Sequence, residues 1–138
     1  MPSSIETILA FDYGSKNIGT AVGQTLSRTA EPLTVVTQKQ GKIDWLTIDK
    51  LVQEWHPERM VVGFPLTRDG EMLPIHDAIK RFAKQLEQRF KLPVTLFDER
   101  LSSFEASQQP HLGSHQLDAI AAQIILQSWL NTQHQENF

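Results

Sequence analysis

The apolar residues of this chain change their spacing after residue 40, and that change limits the folds it can adopt. Before this point, three short apolar segments occupy residues 8–11, 18–24 and 32–38, with turn-forming residues between them. Short apolar runs separated by turns are typical of strands. The first part of the chain therefore predicts three strands in an antiparallel meander.

Beyond this point the pattern alternates between helical and strand-like spacing. The helix that begins at Pro74 has the strongest signal, because its apolar residues recur at intervals of three and four. Ser102 and Glu105 have the spacing of a capping box and predict a short additional helix. The other predicted elements are a helix that Asp44 caps and His56-Pro57 ends, strands at 59–66 and 92–100, and a last helix at 114–131 with Ser114 as its cap.

This order of elements predicts an α/β fold with a five-stranded mixed sheet flanked by helices. Right-handed crossovers return the last two strands parallel to the first, which gives the sheet order 3-2-1-4-5. The chain has 138 residues and no linker, so residues 1–138 are expected to form one domain. The strand order reverses beside strand 1, and ligand sites in open α/β sheets lie at the carboxyl ends of strands at such a point.

The composition excludes several classes of protein. The chain has no cysteine, so disulfides and thiolate metal sites are excluded. Its longest apolar stretch is too short to cross a membrane and its first residues lack the basic region of a signal peptide, so we expect a cytoplasmic protein without a membrane partner. With 13 basic and 16 acidic residues the net charge is −3, so a nucleic acid would have to bind local basic clusters.

Acidic residues follow two of the predicted strands and begin the last helix. Asp12 comes directly after the first apolar run, Asp98 and Glu99 end the fifth predicted strand, and Asp118 lies among small apolar residues. Carboxylates gathered at one sheet edge repel one another unless cations neutralise them, and hard oxygen ligands suit Mg²⁺ or Mn²⁺. Asp98 and Glu99 would point to opposite faces of their strand, so only one of them is expected to be a ligand.

Two such ions about 3.5–4 Å apart could activate water and stabilise the leaving oxygen in phosphodiester cleavage. Asp12 would then bridge the ions, with Glu99 and Asp118 completing the ligand set. Next to Asp12, the sequence Ser15-Lys16-Asn17 could hold phosphate through backbone N–H groups and the Lys ammonium. An ordinary hairpin turn at these three residues is the alternative.

Each acidic residue also has a purely structural explanation. Asp12 could cap the turn that follows it, and either Asp98 or Glu99 could pair with Arg100. Asp118 could interact favourably with the dipole at the start of its helix. The shared position at one sheet edge, and not any single residue, favours a metal site.

Four segments of the sequence resemble a known family. "FDYGSKNIGTAVGQ", "VVGFPLTRDG", "DERLSSFEA" and "LDAIAAQIILQSWL" are similar, in this order, to the signature segments of the YqgF/RuvX family. The resemblance implies an RNase H-like fold related to Holliday junction resolvases, and a nuclease that processes the 5′ end of the 16S ribosomal RNA precursor. It places the acidic positions of the family on Asp12, Glu99 and Asp118, the expected catalytic residues and ligands of Mg²⁺ or Mn²⁺.

One segment departs from the family pattern. Family members carry a longer segment with basic residues before the last acidic position, whereas the "SQQPHLGSHQL" found here contains no Lys or Arg. Because phosphate contacts by basic residues supply most of the sequence-independent affinity for nucleic acid, we expect weak and salt-sensitive RNA binding. The residues left to make those contacts are Lys16, Arg68 and Arg100, joined by Lys80, Arg81 and Lys84 if their helix face adjoins the site.

Three functions remain compatible with the sequence. The first is a metal-dependent nuclease for structured RNA, with precursor rRNA ranked above a DNA junction as substrate. The second is a junction-resolving DNA endonuclease, which would favour a homodimer over a monomer. The third is a non-catalytic nucleic-acid or ribosome-associated adaptor, which the missing basic segment supports. An actin-like or sugar-kinase-like ATPase is set aside, because 138 residues do not supply its second lobe.

Overall fold

A computed structural model describes residues 6–65, 73–98 and 114–135, with the backbone alone at residues 98, 114–116 and 134–135. No helix in these ranges is long and apolar enough to cross a membrane. In chain order the elements are β1 (Thr7–Tyr13), β2 (Asn17–Gln24), β3 (Thr29–Lys39), β4 (Lys42–Ile43), α1 (Trp45–Trp55), β5 (Arg59–Phe64), α2 (Pro74–Phe90), β6 (Val94–Asp98) and α3 (Ser114–Gln135).

The strands form a mixed sheet in the order β4-β3-β2-β1-β5-β6. β1 pairs antiparallel with β2 and parallel with β5, which in turn pairs parallel with β6. The predicted fold class, the interior position of the first strand and the relative order of the five predicted strands are therefore confirmed. The switch point also falls between β1 and β5, as the two helical crossovers require.

The predicted number of five strands is wrong, because the described residues already form a sheet of six. The additional strand, β4, pairs its two residues with Gln38 and Lys39 across a tight turn. Gln40 and Gly41 both have positive φ angles, 51° and 78°, as the common two-residue hairpin turns require. Two residues are too few to show an alternating pattern, so this strand left no periodic signal in the sequence.

Several predicted helix boundaries are confirmed by local interactions. Asp44 caps α1, since its carboxylate accepts a bond from the backbone N–H of Thr47 at 3.4 Å and one from the Thr47 hydroxyl at 2.7 Å. His56 ends α1 in the left-handed conformation, with φ 48°. α2 begins at Pro74 as predicted.

Other boundaries differ from the predicted ones. β5 ends at Phe64 instead of continuing to 66, because Pro65 has no backbone N–H to pair. β6 begins at Val94, and α3 continues to Gln135. The predicted helix near Ser102 and the side-chain cap at Ser114 lie outside the described residues and side chains.

Side chains alternate between the two faces of the sheet, as the pleat of a strand requires. In β1, Leu9 and Phe11 belong to the apolar cluster shared with α1 and α2. Ile8 and Ala10 belong to the opposite cluster, which is shared with α3. The sheet is therefore covered on both faces, as expected for strands that are apolar along their whole length.

Candidate active site at the carboxyl ends of the central strands

Asp12 is the second-last residue of β1, at the carboxyl end of an interior strand. Alternation along the strand places it on the same face as Ile8 and Ala10, the face that α3 covers. Its cross-strand partner on β2 is Gly19. The side chain of Asp12 is half-buried, at the edge where the strand order of the sheet reverses.

Asp118 lies on α3 directly against this position. A Cβ built on Gly19 would stand 1.8 Å from the carbonyl oxygen of Asp118 and 2.3 Å from its carbonyl carbon. The helix backbone therefore rests on the residue that pairs with Asp12, and paired residues in an antiparallel ladder have Cα atoms only about 4.5–5.5 Å apart. The structure thus brings the backbones of two of the three predicted ligand positions, Asp12 and Asp118, close together, while their role as ligands stays a prediction.

The third predicted position lies next to the described part of β6. Asp98 pairs with Phe64 of β5, so β6 ends at the same edge of the sheet as β1 and β5. Glu99 and Arg100 lie outside the described residues, as does the side chain of Asp98. In the parts of the chain that are described, no group of three or more His, Asp or Glu side chains could hold a metal ion. The predicted set of three carboxylates therefore stays a prediction.

The turn after β1 presents the predicted phosphate-binding residues. Ser15 and Lys16 are exposed, and the half-buried Asn17 begins β2. The turn is tight, because a Cβ on Gly14 would stand 2.7 Å from the carbonyl oxygen of Asn17. Lys16 is four residues after Asp12 in the sequence. Because the turn is tight, its ammonium group is held near the sheet edge.

A buried glutamine next to this turn was not found by sequence reasoning. Gln38, near the end of β3, is 6% exposed and is one of three buried polar residues in the described ranges. Its amide donates to the carbonyl of Gly14 at 2.8 Å and accepts from the Tyr13 hydroxyl at 3.0 Å. The alternation of β3 could have revealed it, because Gln38 occupies the inward position that follows Val36.

His76 was also missed, and it lies at the same edge of the sheet. Its Nδ1 accepts a hydrogen bond from the backbone N–H of Leu73 at 2.8 Å, and its Nε2 bonds to the carbonyl of Pro65. Because a carbonyl only accepts, Nε2 donates the proton in this bond. The ring stacks on Phe64 with centroids 4.5 Å apart, which ties the start of α2 to the end of β5.

Lys80 adds a second cation at this edge. Its Nζ lies 5.9 Å from the centroid of the Phe64 ring at the end of β5, within the range of a cation–π contact. Lys80 thus lies near the carboxyl end of β5 on the face of the sheet that α2 covers, whereas Asp12 is on the face that α3 covers, so a contact of Lys80 with the site stays a prediction. Lys80 is exposed, so its ammonium group is accessible to an anionic ligand.

Comparison with known proteins places the chain among nucleases. The family model described as "RuvX: Holliday junction resolvase" matches residues 6–132. A protein of Bordetella parapertussis named "Putative pre-16S rRNA nuclease" is 50% identical over 128 residues, which cover 92% of this chain and 95% of that protein. A protein of Pectobacterium carotovorum with the same name is 43% identical over 135 residues, covering 93% and 97%.

Two solved structures with a similar fold are Holliday junction resolvases. RuvC of Thermus thermophilus, in complex with a Holliday junction substrate, has a TM-score of 0.59 and 15% identity, covering 93% of this chain and 96% of that one. The fowlpox virus Holliday junction resolvase has a TM-score of 0.56 and 13% identity, covering 92% and 99%. At these identities the likeness concerns the fold, and it agrees with the RNase H-like fold expected from the sequence.

Proposed function

Because this chain belongs to the RuvX family, we propose that it is a metal-dependent nuclease that cleaves phosphodiester bonds of structured RNA. The family assignment made from four sequence segments is thereby confirmed, and membership in this nuclease family makes the protein a hydrolase of ester bonds.

The substrate we propose is the precursor of 16S rRNA, cleaved toward its 5′ end. The name carried by relatives at 50% and 43% identity supports this choice. Such a substrate implies action in the cytoplasm.

The observation that carries the proposal is the contact of α3 with Gly19. It brings the helix that bears Asp118 onto the strand residue paired with Asp12, at the switch point of the sheet. Two acids from separate elements at a ligand-binding edge are the arrangement that a cation site needs.

The donor chemistry of this edge fits a divalent cation. Asp12 and Asp118 offer carboxylate oxygens, the ligands that Mg²⁺ and Mn²⁺ prefer. We assign Glu99, the residue that follows the last described position of β6, as the third ligand, because the resemblance to the family places an acidic position there. When bound, a pair of ions would activate water for attack and stabilise the leaving oxygen.

The residues around the acids are suited to hold the substrate backbone. Lys16, four residues after Asp12, places a cation at this edge, where a phosphate group next to the scissile bond would lie. Ser15 and Asn17, on the same turn as Lys16, add hydrogen-bonding groups, and Arg100 completes the proposed substrate-binding set. Because these contacts are few, binding of RNA by the isolated protein should be weak and should fall steeply with salt.

A DNA four-way junction is the second candidate substrate. The description of the matching family model, a Holliday junction resolvase, favours it. Junction cleavage needs paired sites, and therefore a homodimer, whereas cleavage of a precursor RNA end can be carried out by a monomer or a homodimer. The two substrates can be compared directly in one assay.

The test is cleavage of a 16S precursor fragment and of a four-way DNA junction by the wild-type protein with Mg²⁺ or Mn²⁺. Asp12→Asn and Asp118→Asn should each lower the rate on the order of 10³-fold, because charge stabilisation by the metal is worth several kcal/mol. Glu87→Gln, the same type of change at an exposed site on α2, is the matched control and should cleave like the wild type.

Three results would contradict the proposal. Cleavage by Asp12→Asn at the rate of the wild type would remove this residue from the mechanism. A wild-type protein that binds RNA but cleaves neither substrate with either metal would favour the adaptor function. Cleavage of the junction alone would replace RNA with DNA as the substrate.

A further inference from the structure

The turn between β1 and β2 is attached to β3 by one side chain and its backbone. Gln38 donates its backbone N–H to the carbonyl of Lys16 at 2.9 Å, and its side-chain amide donates to the carbonyl of Gly14 at 2.8 Å. The same amide accepts from the Tyr13 hydroxyl at 3.0 Å. Gln38 thus makes one hydrogen bond to each of three residues in the segment 13–16.

The anchor is itself held in place from two sides. Tyr13 packs on Phe82 of α2, with ring centroids 5.2 Å apart. This contact with the core sets the orientation of the Tyr13 ring and therefore the position of its hydroxyl. Gln38 is 6% exposed and lies next to the β3–β4 hairpin, where it pairs with Ile43. The amide of Gln38 has one orientation, because exchanging its oxygen and nitrogen would place the amide oxygen against the carbonyl oxygen of Gly14, an acceptor facing an acceptor.

The turn fixed in this way is the one that carries Lys16. Its backbone carbonyl is bound by Gln38, while its side chain is exposed beside the edge where Asp12 lies. A lysine ammonium on a long flexible stem holds phosphate best when its backbone is already placed, because less freedom is then lost on binding.

We propose that Gln38 is a positioning residue for substrate binding, which holds the turn at residues 14–16 so that Lys16 meets the phosphate backbone of RNA. This inference rests on the proposed function, since it assumes that the turn contacts RNA. Gln38 itself touches no substrate, so its effect should appear only through Lys16. That property separates it from a residue that merely stabilises the fold.

The test is a double-mutant cycle of Gln38→Met and Lys16→Ala, read as RNA affinity across a series of salt concentrations. Met is close to Gln in length and keeps the site filled, but it neither donates to Gly14 nor accepts strongly from Tyr13. Loss of one phosphate contact in Lys16→Ala should lower the slope of log affinity against log salt by about 1. Gln38→Met should weaken binding about fivefold, within the coupling found inside one hydrogen-bond network, and should lower the slope in part.

In the Lys16→Ala background, Gln38→Met should have no further effect on RNA affinity. An equal loss in both backgrounds, or a Gln38→Met protein with the affinity and salt slope of the wild type, would overturn the proposal. A loss of RNA affinity on Gln38→Met that occurs only when Lys16 is present supports the proposal.

Thr20→Val is the matched control for stability. Thr20 is another buried polar residue on the same strand pair, and its hydroxyl donates to the carbonyl of Thr34 away from the turn. This variant should lose stability to a similar extent and leave the salt slope unchanged. If the slope of log affinity against log salt falls as much in Thr20→Val as in Gln38→Met, loss of stability alone explains the fall in both variants.

Hydrogen exchange separates this inference from the proposed function. Amides of residues 13–18 should exchange faster in Gln38→Met than in the wild type, while Thr20→Val leaves them unchanged. If the wild type binds no RNA at low salt, the proposed function fails, and with it the assigned role in phosphate binding. Unchanged exchange in Gln38→Met would overturn the anchoring of the turn even if the protein cleaves RNA.

Discussion

The two faces of the sheet are covered in different ways. Toward α1 and α2, the sheet and helices bury large side chains, and Phe82 alone packs against three aromatic rings with centroids 5.2–5.9 Å away. Toward α3, strand β2 presents small residues; next to Asp118 helix α3 meets them with buried alanines, and farther along with Leu126 and Leu130. The small residues on this face are Gly19, Ala21 and Gly23 on β2 and Ala119 and Ala122 on α3.

This difference separates the packing that stabilises the fold from the packing that positions the candidate site. Large interlocking side chains bury most apolar area per residue and so contribute most to the free energy of unfolding. Small residues contribute less, but they let a helix backbone come into contact with a strand. Only the second kind of packing places Asp118 against the strand partner of Asp12. The face toward α3 is therefore expected to be the more sensitive one in catalysis.

Gly19→Ala should break this arrangement most severely. The new Cβ would stand 1.8 Å from the Asp118 carbonyl oxygen and 3.0 Å from the Ala119 nitrogen, and backbone atoms yield only if the whole helix moves. Overpacking of this kind costs about 1–3 kcal/mol or more. Displacement of a catalytic group by about 1 Å can lower a rate about 100-fold, so cleavage by the folded protein should fall by that order.

Gly23→Ala is the control for this change on the same strand. Its Cβ would meet the Thr29 carbonyl at 2.7 Å and the flexible ends of Leu126 and Leu130, far along α3 from Asp118. It should destabilise the protein, as measured by urea unfolding, while the folded fraction cleaves near the wild-type rate. If Gly19→Ala retains full cleavage, the close contact of α3 does not position the site.

Leu86→Ala should have the opposite profile on the other face. Leu86 belongs to the half of α2 that is remote from the carboxyl ends of the strands, and its side chain is fully buried against the sheet. Removing its side chain leaves a cavity and should lower the free energy of unfolding by about 2–5 kcal/mol. Cleavage measured well below the unfolding midpoint should be unchanged. A 100-fold loss of cleavage here would remove the distinction between the two faces.

The ion pair between α1 and α2 should have the smallest effect. Arg89 binds Asp49 through two hydrogen bonds, of 2.9 and 2.8 Å, and stacks over Trp45 at 5.1 Å. The hydrogen bond from Arg89 holds the pKa of the Asp49 carboxyl below its ordinary 3.8, against the opposing effect of partial burial. A carboxyl whose pKa is lower in the folded protein stabilises it above that ordinary value, and this contribution is lost as the pH falls further.

Asp49→Asn should therefore lower the free energy of unfolding at neutral pH by the small amount expected for an exposed ion pair, and its difference from the wild type should disappear as the pH falls below about 3.8. Thermal unfolding of both proteins across this range measures the effect, and cleavage at neutral pH should be identical. A steeper loss of stability in acid for Asp49→Asn than for the wild type would show that the pair does not stabilise the fold.

Local patterns in the sequence were sufficient for much of this structure. The Asp44 cap, the end of α1 at His56 and the start of α2 at Pro74 depend on residues within one turn of each boundary. The two-residue β4 strand depends instead on pairing with β3, and so it left no periodic pattern. Gln38 and His76 look unremarkable in sequence, because their partners at positions 13, 14 and 65 are distant along the chain.

The sequence by itself determined the order of elements, the strand order of the sheet and the position of Asp12 at the end of an interior strand. These follow from hydrophobic period, capping and the handedness of crossovers, which act over short stretches or apply to all chains. Only the tertiary structure decided that α3 rests on Gly19 and so brings Asp118 to the partner of Asp12. The reason is that the placement of a helix on a sheet depends on the fit of side chains from both, and residues 19 and 118 are 99 positions apart.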